Sequence, residues 1–130
     1  MSTKKNILVV DDDIDFLDQI ECAMKADGYN VVTAQGQEAA EETMLTVIPD
    51  LAILDLMMEN MDSGFVLCHH IKKIYPDTPV IILTAVEAAT GLDFSSHSGE
   101  AASWVKADTL LCKPVRPEQL RAEVKRLLRS

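Results

Sequence analysis

The sequence has few cysteines, and their spacing suits neither cross-links nor metal clusters. There are three, Cys22, Cys68 and Cys112, with no two of them in a Cys-x-x-Cys pair. A disulfide framework uses an even number of cysteines, and a structural zinc site uses closely spaced ones. The sequence therefore predicts neither, and a reducing, cytoplasmic location fits it best.

Basic residues are also scarce. The chain has 12 Lys+Arg against 21 Asp+Glu, which gives a formal net charge of −9 and a pI of about 4.6. Such a surface repels phosphate backbones and anionic lipid headgroups. We therefore expect these residues to bind no nucleic acid and no membrane.

Long hydrophobic runs are missing. The first apolar run, Ile7–Val10, is interrupted at once by three aspartates, so it is too short for the core of a signal peptide. Nothing elsewhere approaches the ~18 apolar residues that a membrane-spanning helix needs. We expect a soluble protein that is not exported.

What remains is an ordinary globular composition, with 48% hydrophobic and 25% charged residues. A chain of 130 residues and 14.3 kDa has the size of one domain, and such a domain buries roughly two-thirds of its unfolded surface. We therefore expect a single domain over residues 1–130, with no room for a separate output module.

Short apolar runs alternate with helical patterns along the chain. The predicted strands are Ile7–Val10, Tyr29–Ala34, Leu51–Leu54, Val80–Leu83 and Thr109–Cys112. Four helices are predicted. The first has Phe16, Ile20 and Met24 at its apolar positions, and the second begins at Gly36 and ends at Pro49. The third spans Gly64–Tyr75, and the fourth begins at Pro117. The apolar positions expected in the second and third helices are Ala40, Met44, Val47, Ile48, Leu67, Ile71 and Ile74.

The alternation of strands and helices predicts the fold class. Continuous apolar strands need burial on both faces, and strands that alternate with helices form parallel crossovers. The sequence therefore predicts an α/β protein with a doubly wound, five-stranded parallel sheet and helices on both faces.

Chemically active residue types occur at the ends of the predicted strands. They are Asp11, Asp12 and Asp13 after the first strand, Asp55 after the third, Thr84 after the fourth and Lys113 after the fifth. In a doubly wound sheet these ends form one rim, where ligands bind. Carboxylates that converge there repel one another unless they share a cation, and Mg²⁺, which prefers oxygen ligands, is the natural candidate. The set predicts a phosphate site built around one aspartate nucleophile.

Taken singly, these residues have plainer interpretations. Aspartates after a strand suit the N-cap of the next helix, and we expect Asp13 to be such a cap. Thr84 alone would be structural. Asp55 is harder to explain, because an unpaired carboxylate beside a sheet core is costly.

Four segments carry a resemblance to the receiver domains of two-component response regulators, and the resemblance spans nearly the whole chain. They are Ile7–Asp13, Leu51–Met58, Ile82–Ala85 and Lys113–Pro114. The resemblance implies a flavodoxin-like strand order of 2-1-3-4-5 and a cis Lys113–Pro114 peptide. The resemblance implies that Asp55 is the phosphoacceptor and that Mg²⁺ is held by Asp11, Asp12, Asp55 and the backbone carbonyl of Met57. It also implies that Thr84 donates a hydrogen bond to the phosphoryl group and that Lys113 neutralises the charge of that group.

The resemblance also implies a function. A stand-alone receiver accepts a phosphoryl group from a sensor histidine kinase or a histidine phosphotransfer protein and signals by binding a protein target, here unidentified. We expect a monomer or weak dimer that catalyses only its own phosphorylation and dephosphorylation. The acyl phosphate on Asp55 would add a charge of about −1.5 to −2 and shift the domain to a partner-binding state.

The sequence departs from this family in four respects. First, Glu59 replaces the usual proline in the loop after Asp55, and Ser63 is an additional residue there. Second, a surplus in the segment Val86–Ala107 lengthens the connection between Thr84 and Lys113. Third, Leu110 stands where the family has Tyr or Phe, and fourth, Met57 and Val86 are apolar. We expect an extended loop before a short or displaced helix, an altered switch in which Trp104 substitutes for the missing aromatic residue, and a long-lived phosphoryl group.

Two other functions stay open. A Mg²⁺-dependent phosphatase of the haloacid dehalogenase type also uses an aspartate nucleophile, but it has a second acid two residues later, where this chain has Met57, and its cap domain does not fit here. A receiver-like module that binds its partner without phosphorylation is disfavoured by the intact site residues, although the altered loops are compatible with it.

Overall fold

The computed structural model describes residues 5–56, 63–84, 108–113 and 115–128, which form five strands and four helices. The strands are β1 (Asn6–Val10), β2 (Asn30–Ala34), β3 (Leu51–Asp55), β4 (Val80–Thr84) and β5 (Thr109–Cys112). The helices are α1 (Ile14–Ala26), α2 (Gln37–Thr43), α3 (Ser63–Ile74) and α4 (Pro117–Leu128). Within these ranges, none of the helices combines the length and apolar character needed to cross a bilayer.

The strands form one parallel sheet in the order β2-β1-β3-β4-β5. This confirms the predicted fold class and the strand order that the resemblance implied. In the register of the sheet Val10 lies beside Leu54, and Thr84 lies beside Cys112. The residues that follow β1, β3 and β5 therefore leave the sheet at one edge.

Alternate residues of each strand contribute to two separate hydrophobic cores. The α2–α3 core consists of Leu8, Val10, Ala34, Ala40, Met44, Ala52, Leu54, Leu56, Leu67, Cys68, Ile71, Val80 and Ile82. The α1–α4 core consists of Ile7, Val9, Leu17, Ile20, Met24, Leu51, Ile53, Ile81, Leu83, Val115, Leu120 and Val124. Side chains of a strand point alternately to opposite faces, so the apolar runs of β1, β3 and β4 bury both faces of the sheet.

Local chemistry fixes both ends of α1. The Asp13 side chain accepts hydrogen bonds from the backbone N–H groups of Asp15 and Phe16, so the expected N-cap is confirmed. After the helix, Gly28 has φ of +92°, a conformation that costs a residue with a Cβ about 1–2 kcal/mol. The chain can thus turn sharply from α1 into β2.

Two helices depart from the predicted pattern at their C-terminal ends. The prediction continued the second helix to Pro49, but α2 ends at Thr43, and Ile48 is 62% exposed. Hydroxyl groups bond to backbone carbonyls at this end, from Thr43 to Ala39 and from Thr46 to Thr43, and such bonds compete with helical ones. In α3, Ile74 was expected on the apolar stripe but is 58% exposed, because the helix ends there and nothing among the described residues covers it.

A partly exposed ion pair joins the end of α1 to α4. The Arg121 guanidinium donates to both carboxylate oxygens of Asp27, from Nε at 2.8 Å and from Nη2 at 2.6 Å. Two parallel bonds of this kind are stronger and more directional than a single one. The hydrogen bond from Arg121 holds the pKa of Asp27 below its usual value.

We predict that Asp27→Asn lowers the free energy of unfolding near neutral pH and makes stability less dependent on pH in the acid range. A carboxyl with a lowered native pKa stabilises the fold above its unfolded pKa of about 3.9 and loses this contribution as the pH falls through the native value. Urea denaturation of both proteins between pH 7 and pH 3 measures the effect. Asp18→Asn, on the exposed side of α1, is the matched control; equal curves for Asp27→Asn and wild type would contradict the prediction.

Candidate phosphate and metal site

Four of the residues predicted from the sequence lie at the carboxyl edge of the sheet. Asp11 directly follows β1, Asp55 and Thr84 are the last residues of β3 and β4, and Lys113 directly follows β5. Asp11, Asp55 and Thr84 are 1%, 7% and 0% exposed. The sheet therefore holds polar groups in a largely buried position at neighbouring strand ends.

Three carboxyl groups converge at this edge. One oxygen each from Asp11, Asp12 and Asp55 lies within 4.8 Å of the other two. Asp12 is exposed, so the cluster is open to solvent on one side. A hard divalent cation such as Mg²⁺ takes oxygen ligands from one or two carboxylates and completes its shell with water or phosphate oxygens. The donor types and the opening to solvent fit such an ion.

Lys113 brings the only positive charge that the described residues place within ion-pair distance of these carboxylates. Its Nζ lies 2.9 Å from Asp11 Oδ2 and 3.3 Å from Asp55 Oδ1. Its backbone N–H donates to the carbonyl of Thr84 at 2.6 Å, which continues the β4–β5 pairing one residue beyond the strands. The lysine is thus tied at its main chain, and its ammonium group lies between the two carboxylates.

The electrostatics of the cluster favour further positive charge. Burial and the neighbouring Asp11 raise the pKa of Asp55 to about 6, although Lys113 opposes the shift. Burial also raises the pKa of Asp11, against the hydrogen bonds from the Asp13 N–H and from Lys113. Burial alone would lower the pKa of Lys113, but its bonds to the two carboxylates outweigh this and raise it. One ammonium therefore does not fully compensate the two buried carboxylates.

The turn after β1 orients Asp11 toward the cluster. The backbone N–H of Asp11 donates to the Ala34 carbonyl at 3.1 Å, and the Asp11 side chain accepts from the backbone N–H of Asp13 at 2.9 Å. Asp13 in turn caps α1. Two of the three consecutive aspartates thus contribute to the carboxyl cluster, and the third shapes the turn that positions the first.

Gly64 is a positioning residue that the sequence analysis identified only as the start of a helix. Its backbone N–H donates to the Leu56 carbonyl at 2.8 Å. A Cβ on Gly64 would lie 2.6 Å from the Asp55 carbonyl oxygen and 2.6 Å from the Leu56 Cα, closer than real atoms approach. Glycine here lets α3 start directly against the end of β3. The only signal in the sequence was a glycine shortly after the candidate nucleophile.

Phe16 is a second residue whose role the sequence did not indicate beyond its apolar position. The Lys113 Nζ lies over its ring, 5.0 Å from the ring centroid. The distance is within the ~6 Å range of cation–π contacts. Because the two residues are 97 positions apart in the chain, no local pattern could pair them.

Several predictions fall outside the residues that the structure describes. They concern Met57 and its carbonyl, Glu59, the segment Val86–Ala107 with Trp104, and the Lys113–Pro114 peptide. Leu110 is described: it lies in β5, is partly buried and packs against the α2–α3 core.

Comparison with known families gives one consistent match. A family model described as the response regulator receiver domain matches residues 7–125. One similar solved structure is the chemotaxis response regulator CheY4 of Vibrio cholerae, with a TM-score of 0.79 and 26% identity; the match covers 97% of this chain and 100% of that one. Another is a CheY-like receiver domain protein of Methanospirillum hungatei, with a TM-score of 0.77 and 28% identity; the match covers 98% of this chain and 95% of that one.

Curated relatives are longer. The chain is 34% identical over 133 residues to a probable transcriptional regulator, ycf27, of Guillardia theta, which covers 99% of this chain and 47% of that protein. It is 32% identical over 125 residues to the alkaline phosphatase synthesis transcriptional regulatory protein PhoP of Bacillus subtilis, and the match covers 96% of this chain and 49% of that protein. The chain thus spans about half the length of these curated relatives.

We predict that Gly64→Ala lowers the free energy of unfolding by about 1–3 kcal/mol, the usual cost of forcing a methyl group into filled space. The contact would push α3 away from the Asp55 carbonyl. Equilibrium urea unfolding measures the loss. Gly28→Ala is the comparison, because a Cβ there meets nothing within 4 Å and its cost comes from backbone conformation alone. A Gly64→Ala protein as stable as the wild type would refute the close-approach explanation.

Proposed function

The chain belongs to the response regulator receiver family of two-component signal transduction, and on this premise we propose that Asp55 accepts a phosphoryl group and that the domain signals through the phosphorylated state. The observation that supports the proposal most is the position of Lys113. Its ammonium contacts a buried carboxylate from β3 and another from the end of β1 at the same time. A nucleophile, its neighbouring acids and a fixed cation thus meet at one point.

The proposed chemistry is transfer from a phosphohistidine. A carboxylate oxygen of Asp55 forms a bond to phosphorus while the phosphorus–nitrogen bond of the donor breaks, and the imidazole nitrogen keeps the electron pair and takes up a proton. The product is an acyl phosphate. In the loose transition state of such transfers, negative charge spreads over the three equatorial oxygens, and the Lys113 ammonium offsets part of this charge.

The other site residues would bind and orient. Thr84 ends β4 beside this point, and its hydroxyl would donate to a phosphoryl oxygen. Asp11, Asp12, Asp55 and the carbonyl of Met57 would hold Mg²⁺. Bound there, Mg²⁺ would supply positive charge to phosphoryl oxygens that the carboxylates alone would repel.

We propose that the phosphoryl donor is a sensor histidine kinase or a histidine phosphotransfer protein and that the target is a protein. The net charge of −9 disfavours direct contact of this domain with nucleic acid or anionic membrane. The two solved relatives match over 95% and 100% of their own chains. The curated relatives, about twice as long, are named as transcriptional regulators.

We predict that intact mass spectrometry detects the gain of one phosphoryl group after incubation with acetyl phosphate and Mg²⁺, and that Asp55→Asn abolishes the gain. The amide is nearly the same size as the carboxyl but is a poor nucleophile. The adduct should be lost on treatment with hydroxylamine, which cleaves acyl phosphates and leaves phosphate esters intact. Asp18→Asn, an exposed aspartate of α1, is the control that should still gain the group.

The same experiment separates the competing functions. A module that acts without phosphorylation gains no mass in the wild type. A phosphatase instead turns over, so it releases phosphate continuously and its covalent intermediate remains minor. A gain that persists in Asp55→Asn would overturn the assignment of the acceptor.

We predict that Mg²⁺ raises the thermal stability of the unphosphorylated protein and that Asp12→Asn weakens this effect. A ligand that binds only the folded state adds about 1.4 kcal/mol to the free energy of unfolding at ten times its dissociation constant. Melting curves at rising MgCl₂ and constant ionic strength measure the shift. Asp15→Asn, an exposed acid in the first turn of α1, is the matched control. The same rise in Asp12→Asn as in wild type would exclude Asp12 as a ligand.

A further inference from the structure

We propose that Phe16 is a positioning residue for Lys113, whose ring keeps the ammonium group within reach of Asp55. The proposal rests on the phosphoacceptor function proposed above, because it gives Phe16 a part in the transfer step. The main observation is that the Lys113 Nζ lies over the Phe16 ring, 5.0 Å from its centroid, while it also contacts the carboxylates of Asp11 and Asp55.

Lys113 needs such a restraint. A lysine ends in a compact ammonium on a flexible four-carbon stem, and 28% of this side chain is exposed to solvent. The two carboxylates compete for the same ammonium, and Asp11 at 2.9 Å lies closer to it than Asp55 at 3.3 Å. Movement toward Asp11 or into solvent would take the positive charge away from the phosphoryl position.

Phe16 is itself held in place, which a positioning residue must be. It lies in the first turn of α1, where its backbone N–H donates to the capping side chain of Asp13 at 3.4 Å. Its side chain is partly buried and packs against the α1–α4 core. The helix is tied at its other end to α4 through Asp27 and Arg121. The core and the start of α1 thus support the ring against which the Lys113 ammonium lies.

An aromatic ring does what an aliphatic side chain of similar size does not. The face of the ring is electron-rich and attracts a cation, yet it adds no formal negative charge to a cluster that already has an excess of it. A carboxylate in place of the ring would draw the ammonium away from Asp55. The ring restrains the lysine without competing for its N–H donors.

The test compares phosphorylation of wild type, Phe16→Leu, Phe16→Tyr and Tyr29→Leu by acetyl phosphate with Mg²⁺, followed by intact mass over time. We expect Phe16→Leu to lower the maximal rate about three- to ten-fold with little change in the half-saturating acetyl phosphate concentration, since Lys113 acts on charge that develops in the transition state. Phe16→Tyr should restore the wild-type rate. Tyr29→Leu removes another partly buried ring from the α1–α4 core and should leave the rate unchanged.

A second measurement does not depend on phosphorylation. We expect a ring current from Phe16 to shift the nuclear magnetic resonance signals of the Lys113 side-chain methylene groups upfield. Phe16→Leu should abolish this shift and Phe16→Tyr should retain it, with Lys113→Gln serving to assign the signals.

The outcomes separate the two proposals. The positioning role is overturned if Phe16→Leu phosphorylates at the wild-type rate, if Phe16→Tyr is as slow as Phe16→Leu, or if the wild type lacks the ring-current shift. If the wild type gains no phosphoryl group, the proposed function fails, and the resonance shift alone then decides whether Phe16 holds the lysine.

Discussion

One ammonium group shared between two buried carboxylates is the interaction on which the carboxyl edge of this sheet depends. Asp11 and Asp55 would be costly to bury without a partner, and Lys113 contacts both. Burial and the neighbouring charge of Asp11 nevertheless raise the pKa of Asp55 to about 6. This imbalance favours a divalent cation at the edge. Under the proposed function, such a cation would also offset the negative charge of a phosphoryl group.

The fold holds this imbalance in place with rigid elements. Parallel pairing places the ends of β1, β3, β4 and β5 at one edge, and hydrophobic cores on both faces of the sheet fix those ends. The main chain adds finer control: the Asp13 N–H orients the Asp11 carboxylate, and Gly64 lets α3 begin against the Asp55 carbonyl. A site that rests on strands and helix starts is defined more sharply than one on loops, so the carboxylates stay close despite their repulsion.

The sequence predicted the strands, the sheet and the candidate site residues because those features depend on local pattern and on one topological rule. Apolar runs that end in Asp, Thr or Lys give both the strand and its reactive end. The sequence-based prediction failed where the outcome depends on hydrogen bonds and burial that apolar spacing does not encode. The α2 helix stops at Thr43 although Val47 and Ile48 continue its apolar spacing, since hydroxyl bonds and exposure outweigh periodicity there. Gly64 and Phe16 act through partners that no spacing rule connects to them.

The resemblance to other receivers is uneven at the residues that connect the site to the rest of the sheet. Leu110 has no hydroxyl and packs on the α2–α3 core, so an aromatic switch at this position is absent. A direct connection remains, because the Lys113 N–H bonds to the Thr84 carbonyl while its ammonium contacts Asp55. Under the proposed function, charge added at Asp55 would act on the Lys113 ammonium, which the Lys113 main chain joins to the ends of β4 and β5. The backbone at this edge of the sheet would then respond before any side chain farther away.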